Sequence, residues 1–152
     1  MQMPPTAVIE TKRNRRVKVV ALCGPKQAGK TTVASLLQTN HGFHRVRFAE
    51  KIKQIMEVLG VPKESIDGGG KEAPLRMLCG KSARYAMETL GSDWRDMIGK
   101  SLWARQACDK IEAMATEAGA TADNPLMVVV DDFRFPHELK ELRSRGFDVE
   151  VW

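Results

Sequence analysis

Residues 17–39 read V-K-V-V-A-L-C-G-P-K-Q-A-G-K-T-T-V-A-S-L-L-Q-T. The Val-rich run Val17–Cys23 ends at a glycine and predicts a buried strand. Lys30–Thr39 predicts a helix, with Val33, Leu36 and Leu37 spaced to face a sheet. The eight residues G-P-K-Q-A-G-K-T at 24–31 join the two.

Strand, glycine loop and helix in this order grip the phosphates of a nucleoside triphosphate. The nucleotide cradle is expected to run through Gly24, Lys26, Ala28, Gly29, Lys30, Thr31 and Thr32. Gly24 and Gly29 allow torsions or a close approach that a side chain would obstruct, so successive N–H groups can converge on phosphate oxygens. Lys30 reaches the terminal phosphates as a point charge, and the Thr31 hydroxyl is the expected magnesium ligand. A nucleoside triphosphate and Mg2+ are the ligands that this chemistry requires.

Outward from the loop, Arg45–Phe48 predicts a short strand and Ala49–Leu59 a helix carrying Ile52, Ile55, Met56 and Leu59 on one side. Val61–Pro74, with its glycine run, reads as a mobile loop. Ser82–Leu90 predicts a helix stopped by Gly91, with Ser92 or Asp93 capping the next, and Gly99 leaves open whether that one is broken in two. Leu126–Val130 predicts a second buried strand, ending at Asp131 and Asp132. Pro136 suits the first turn of a helix running to Arg145, and Phe147–Trp152 begins another strand. Apolar strands separated by helices imply an α/β fold with a mostly parallel sheet covered on both faces.

The chain has 152 residues, enough for one core, so a domain over 17–152 is expected behind a basic tail over 1–16. Residues 1–30 hold seven Lys or Arg against one Glu, leaving 17 basic and 18 acidic residues elsewhere. The positive charge is therefore a tail plus a loop and not a nucleic-acid-binding face, so contact with nucleic acid is expected only weakly and through the tail. No stretch has the 18 apolar residues of a membrane span. Cys23, Cys79 and Cys108 form no metal or disulfide pattern and read as small core groups in a reducing, cytoplasmic setting.

An acidic pair at a strand end can hold magnesium or orient an acceptor, and the strand-end position favours Asp131 over Asp132 for the metal. Arg76, Arg84, Arg95 and Arg134 are candidates for a second anionic substrate, because a rigid guanidinium fork matches a phosphate. Arg84 has the alternative of an ion pair with Glu88 one turn on. The lone His137 reads as neither acid nor base.

Four ordered blocks carry a family resemblance: G-P-K-Q-A-G-K-T-T at 24–32, R-F-A-E-K-I-K at 47–53, R-Y-A-M-E-T-L-G-S-D-W-R at 84–95 followed by Trp103, and D-D-F-R-F-P-H-E at 131–138. With these the sequence resembles the bacteriophage-type deoxynucleoside monophosphate kinases of the P-loop kinase group. The resemblance implies a three-layer fold and transfer of the ATP γ-phosphate to a deoxynucleoside monophosphate. It places Phe48, Ala49 and Lys53 beside the monophosphate, and gives Arg84, Arg95 and Arg134 to the substrate phosphates. Lys30, Arg95, Asp131 and Arg134 become the catalytic set, Asp132 and Glu138 border the acceptor, and Glu138 braces Arg134 across the turn. Thr31 stands where the family often has aspartate. Relatives continue past the point matching Trp152 with an arginine-bearing closing segment, so the chain reads as shortened at the C-terminus: either it omits the enzyme's remainder and leaves a sheet edge uncovered, or this version is compact, a homodimer or weakly active. A P-loop kinase for another small metabolite and a nucleotide-binding module with little turnover are the alternative readings.

Overall fold

The computed structural model describes residues 16–152; the expected basic tail lies, apart from Arg16, outside the described residues. Strand β1 (Val17–Ala21) leads into the glycine loop and helix α1 (Lys30–His41). Then come β2 (His44–Val46), α2 (Glu50–Val58) and the short α3 (Lys63–Ile66). A two-stranded hairpin of β3 (Pro74–Leu75) and β4 (Lys81–Ser82) encloses a tight turn at Arg76–Leu78. Helices α4 (Ala83–Ile98) and α5 (Leu102–Glu117), strand β5 (Leu126–Val130), helix α6 (Pro136–Ser144) and strand β6 (Asp148–Val151) complete the chain.

The main sheet runs β2-β5-β1-β6, all parallel, with Val17 opposite Leu126 and Ala21 opposite both Val130 and Val151. Alternation along the strands fills two cores, because successive side chains point to opposite faces. Val20, Leu22 and Val129 meet Ala34 and Leu37 of α1 on one face. Val17, Val19, Val128 and Val130 meet Ala104, Cys108 and Ile111 of α5 and Leu142 of α6 on the other. The fold is thus α/β, with a parallel sheet between helices.

The connections after β1 and after β5 run to opposite sides of the sheet, which opens a crevice at the carboxyl ends of these neighbouring strands. Ligands of open α/β sheets bind at such a point. The strand feeding the glycine loop is held on both sides past its end, Leu22 N donating to Val130 O at 2.8 Å and Cys23 N to Trp152 O at 2.7 Å.

Three expectations change. Val61–Pro74 is not one open loop: α3 forms within it, and Val61 and Ile66 are buried in a third core with Met56 and Ala83. Gly91 does not stop a helix. α4 runs through it to Ile98, and the break falls at Gly99–Ser101, so the Trp94-to-Ala118 region divides between two helices. Of the cysteines only Cys108 is buried, its thiol pushed up to about 12 by burial, while Cys23 and Cys79 are exposed.

Gly91 is there for space. A Cβ on it would stand 3.0 Å from Ile52 Cδ1 of α2, and its carbonyl accepts the indole N–H of Trp103 at 2.8 Å. Gly91→Ala should be near neutral, because about 1 kcal/mol of helix propensity offsets the crowding. Gly91→Val adds two further methyls on a branched Cβ and should lower stability by about 1–2 kcal/mol, read as a shifted urea midpoint.

Candidate active site

The loop between β1 and α1 is shaped by left-handed torsions. Gly29, the residue before α1, has φ 89°, and Gln27 has φ 65°, an uncommon value for a residue with a side chain. Alternating hands along a backbone turn its N–H groups to one side, the geometry that cups anions. Among the described residues, the amides of Lys26, Gln27, Gly29, Lys30, Thr31 and Thr32 donate to no backbone carbonyl across the loop. The α1 amides belong to the orphan first turn of a helix, where the macrodipole favours an anion. Lys30 Nζ folds back onto the Gly24 carbonyl, and Thr31 and Thr32 are exposed at the mouth. A polyanion entering here would find unsatisfied donors and one mobile ammonium.

One strand over, the acidic pair at the end of β5 divides its work. Asp131 points toward β2 and is buried; its carboxylate is paired with Arg45 and, at 3.2 Å from Oδ1, with Arg47 Nε. Burial works against its charge, yet the two guanidiniums hold the carboxyl below the usual carboxylate range. Asp132 points the other way and accepts the amides of Phe48 and Ala49, each at 3.0 Å, at the start of α2. Burial pushes Asp132 up, and these two amides only partly offset it. Lys110 of α5 fixes the same helix start through Glu50 at 2.6 Å.

Past the pair, Glu138 in the first turn of α6 reaches back. Its Oε2 accepts the amides of Arg134 at 2.8 Å and Phe135 at 3.0 Å, which locks the turn carrying Arg134. Glu138 is 7% exposed, and burial raises its carboxyl. The Arg95 guanidinium from α4 lies 4.7 Å from the centre of the Phe135 ring, a cation–π contact, and the His137 ring stacks on Phe135 with centroids 5.2 Å apart. Burial and the charges of Arg95 and Lys100 lower the His137 pKa, so the ring is neutral at neutral pH.

These elements enclose a cleft of about 310 Å³. Phe48, Ala49, Lys53, Arg95, Asp132, Arg134 and Glu138, all expected at a substrate site, line it together. Arg76 and Arg84 are not on its wall. Arg76 is exposed on the turn after β3, and Arg84 pairs with Glu72 and, at 3.9 Å, with Glu88. Sequence reasoning missed the apolar wall of Ile52, Met87, Gly91, Trp103 and Phe135, and it missed Arg45 and Arg47. The two arginines were legible as a period of two in R-V-R at a strand's carboxyl end, which sends both side chains to one side. Lys53 sits on the rim, tied to Asp67 at 2.6 Å, and also borders a second, charged cleft with Arg45 and Arg47.

Among the described residues no three His, Cys, Asp or Glu side chains cluster to hold a metal ion. The Thr31 hydroxyl suits magnesium, which keeps most of its waters and takes its other oxygens from nucleotide phosphates. Asp131 fits less well as a direct ligand, because both of its oxygens face guanidinium groups. The sequence matches no protein-family model, and no curated protein matches it.

Proposed function

We propose that this protein is an ATP-dependent kinase of the P-loop group that phosphorylates a deoxynucleoside monophosphate. One observation carries the reading: residues from three separate blocks, 48–53, 87–95 and 132–138, converge on a single cleft one strand away from the glycine loop. The pairing of a polyanion cradle with a half-apolar, half-cationic cleft suits two substrates, one a triphosphate and the other a monophosphate on a flat hydrophobic body. A cleft of about 300 Å³ is at the small end of ligand pockets, as a mononucleotide requires.

The Gly24–Thr32 segment binds the ATP phosphates through amides and Lys30. Magnesium, when bound, neutralises phosphate charge, and Thr31 is the residue that would hold it. Lys53, Arg95 and Arg134 bind the acceptor phosphate. An acceptor phosphate oxygen attacks the γ-phosphorus, a new P–O bond forms, and the bond to the β-phosphate oxygen breaks to release ADP. No histidine or other base is required. The acceptor oxygen is already anionic, and the rate comes from in-line placement and charge compensation.

Diphosphate formation from dAMP, dGMP, dCMP and dTMP, measured with magnesium and ATP, tests the reading. At least one acceptor should be turned over, and Arg95→Ala should raise its KM by about tenfold, the worth of one charged hydrogen bond. ATP hydrolysis that ignores all four acceptors would replace this reading with that of a nucleotide-binding module with little turnover, which the closed Arg45–Asp131–Arg47 cluster favours. Turnover of some other metabolite alone would keep the kinase and change its acceptor.

A further inference from the structure

Glu138 does more in the cleft than hold a turn. Oε2 takes both backbone amides, and Oε1 makes no hydrogen bond among the described residues. Oε1 is nonetheless not sealed off, since the buried side-chain atoms without partners are Arg45 Nε and Arg84 Nε. A residue that is 7% exposed therefore shows its free oxygen through the cleft that it lines. An oxygen that opens into the cleft is free to accept from whatever fills it, and a ligand that covered it without supplying a donor would bind at a cost.

The rest of the wall narrows what that donor is. Asp132 has one oxygen on the Phe48 amide and the other on the Ala49 amide, so neither is left without a partner. Glu88 is on the rim, its side chain 70% exposed and paired with Arg84. Glu138 Oε1 is thus the one inward carboxylate oxygen without a partner. An acceptor phosphate is repelled by it and held at Lys53 and Arg134, which turns the uncharged part of the molecule toward Glu138. Trp103, Ile52 and Met87 form the apolar wall that receives this part. Burial raises the Glu138 carboxyl, and the Arg134 and Phe135 amides and, least, Arg95 offset this only in part; in its ionised form the carboxyl accepts but does not donate.

We propose that Glu138 is the specificity-determining residue of the cleft, its Oε1 accepting a hydrogen bond from an O–H or N–H donor on the sugar or base of the bound monophosphate. The inference rests on the kinase reading for the identity of the ligand, but not on turnover. The two sources of the donor are separable with analogues, the 2′,3′-dideoxy monophosphate lacking the sugar hydroxyl and a base analogue carrying hydrogen in place of its exocyclic amine.

Calorimetric affinities of the four deoxynucleoside monophosphates and these analogues should be compared for wild type and Glu138→Gln. The glutamine retains an oxygen for the Arg134 and Phe135 amides and turns the inward group from acceptor to donor. Wild type should bind one analogue about 10- to 100-fold more weakly than its parent, the value of a hydrogen bond to a charged group. In Glu138→Gln that ratio should fall to within about threefold, chiefly through weaker binding of the parent. Loss of the ratio with the dideoxy compound assigns the sugar hydroxyl, and loss with the base analogue assigns the amine. Glu138→Asp, which keeps the charge but withdraws it from the cleft, should give the same collapse if the glutamine variant melts early. Equal affinities for parents and analogues in wild type, or a ratio unchanged in both variants, would leave Glu138 as a brace alone and overturn the proposal. A wild type that discriminates but transfers no phosphate would uphold it while sinking the kinase reading, and one that binds no monophosphate would sink both.

Discussion

Lys30→Ala is expected to lower phosphoryl transfer by about 10²–10³-fold, the range seen when one charge-stabilising donor is removed from a reacting centre. The expectation follows from what Lys30 touches. Among the described residues its ammonium holds only the Gly24 carbonyl, at the mouth of a loop in which Ala28 alone donates its amide across the turn. Nothing in the cores depends on it, so stability should change by no more than about 0.5 kcal/mol. The combination is diagnostic, since a lost activity with an unchanged urea midpoint places Lys30 in chemistry and not in folding. An ADP-release assay under saturating acceptor reads the first quantity. Activity within a few-fold of wild type would mean that the loop does not grip the transferring phosphate.

Asp131→Ala should produce the largest stability loss of any single substitution in the site, about 3 kcal/mol by chemical denaturation. The variant leaves Arg45 and Arg47 facing each other without their shared carboxylate. Their side chains are 19% and 34% exposed, so water relieves part of the penalty and the value falls at the low end for a broken buried pair. The sign of the pH effect follows from the lowered Asp131 pKa. A depressed folded-state value means that the stabilisation is complete above the unfolded carboxylate value of about 4 and fades as pH falls through the folded one. The gap between wild type and Asp131→Ala should therefore be constant at neutral pH and shrink below about pH 4. A gap that stayed constant into acid would show that the two guanidiniums do not hold the carboxylate.

Much of this site could be read from residue order alone, and the reasons are local. β5 is a continuous apolar run and β1 is one but for Lys18, and they lead to an acidic pair and a glycine, so their position in a buried parallel sheet followed from composition. The blocks around Phe48 and Arg134 each lie within a few residues of a strand end, and the sheet brings such ends together by construction. Other features depend on partners far away in sequence. Gly91 signals a helix stop until one knows that Ile52 occupies the space beside it. Asp131 carries the sequence pattern of a metal ligand, and only the approach of Arg45 and Arg47 from β2 shows how fully its oxygens are engaged. The Val61–Pro74 segment is rich in turn formers, yet Val61 and Ile66 are enough to anchor it in a core once Met56 and Ala83 are nearby.

The placement of β1 between β5 and β6 has a consequence for biogenesis. Among the described strands, the one that presents the glycine loop is translated before the others, while both of its neighbours follow all the rest. A nascent chain on the ribosome would thus carry the glycine loop unsupported until β5 and β6 are made, with Val17–Ala21 offering both edges to other chains. Such non-local pairing is slow and leaves aggregation-prone edges open. The glycine loop gains its support only when β5 and β6 close against β1.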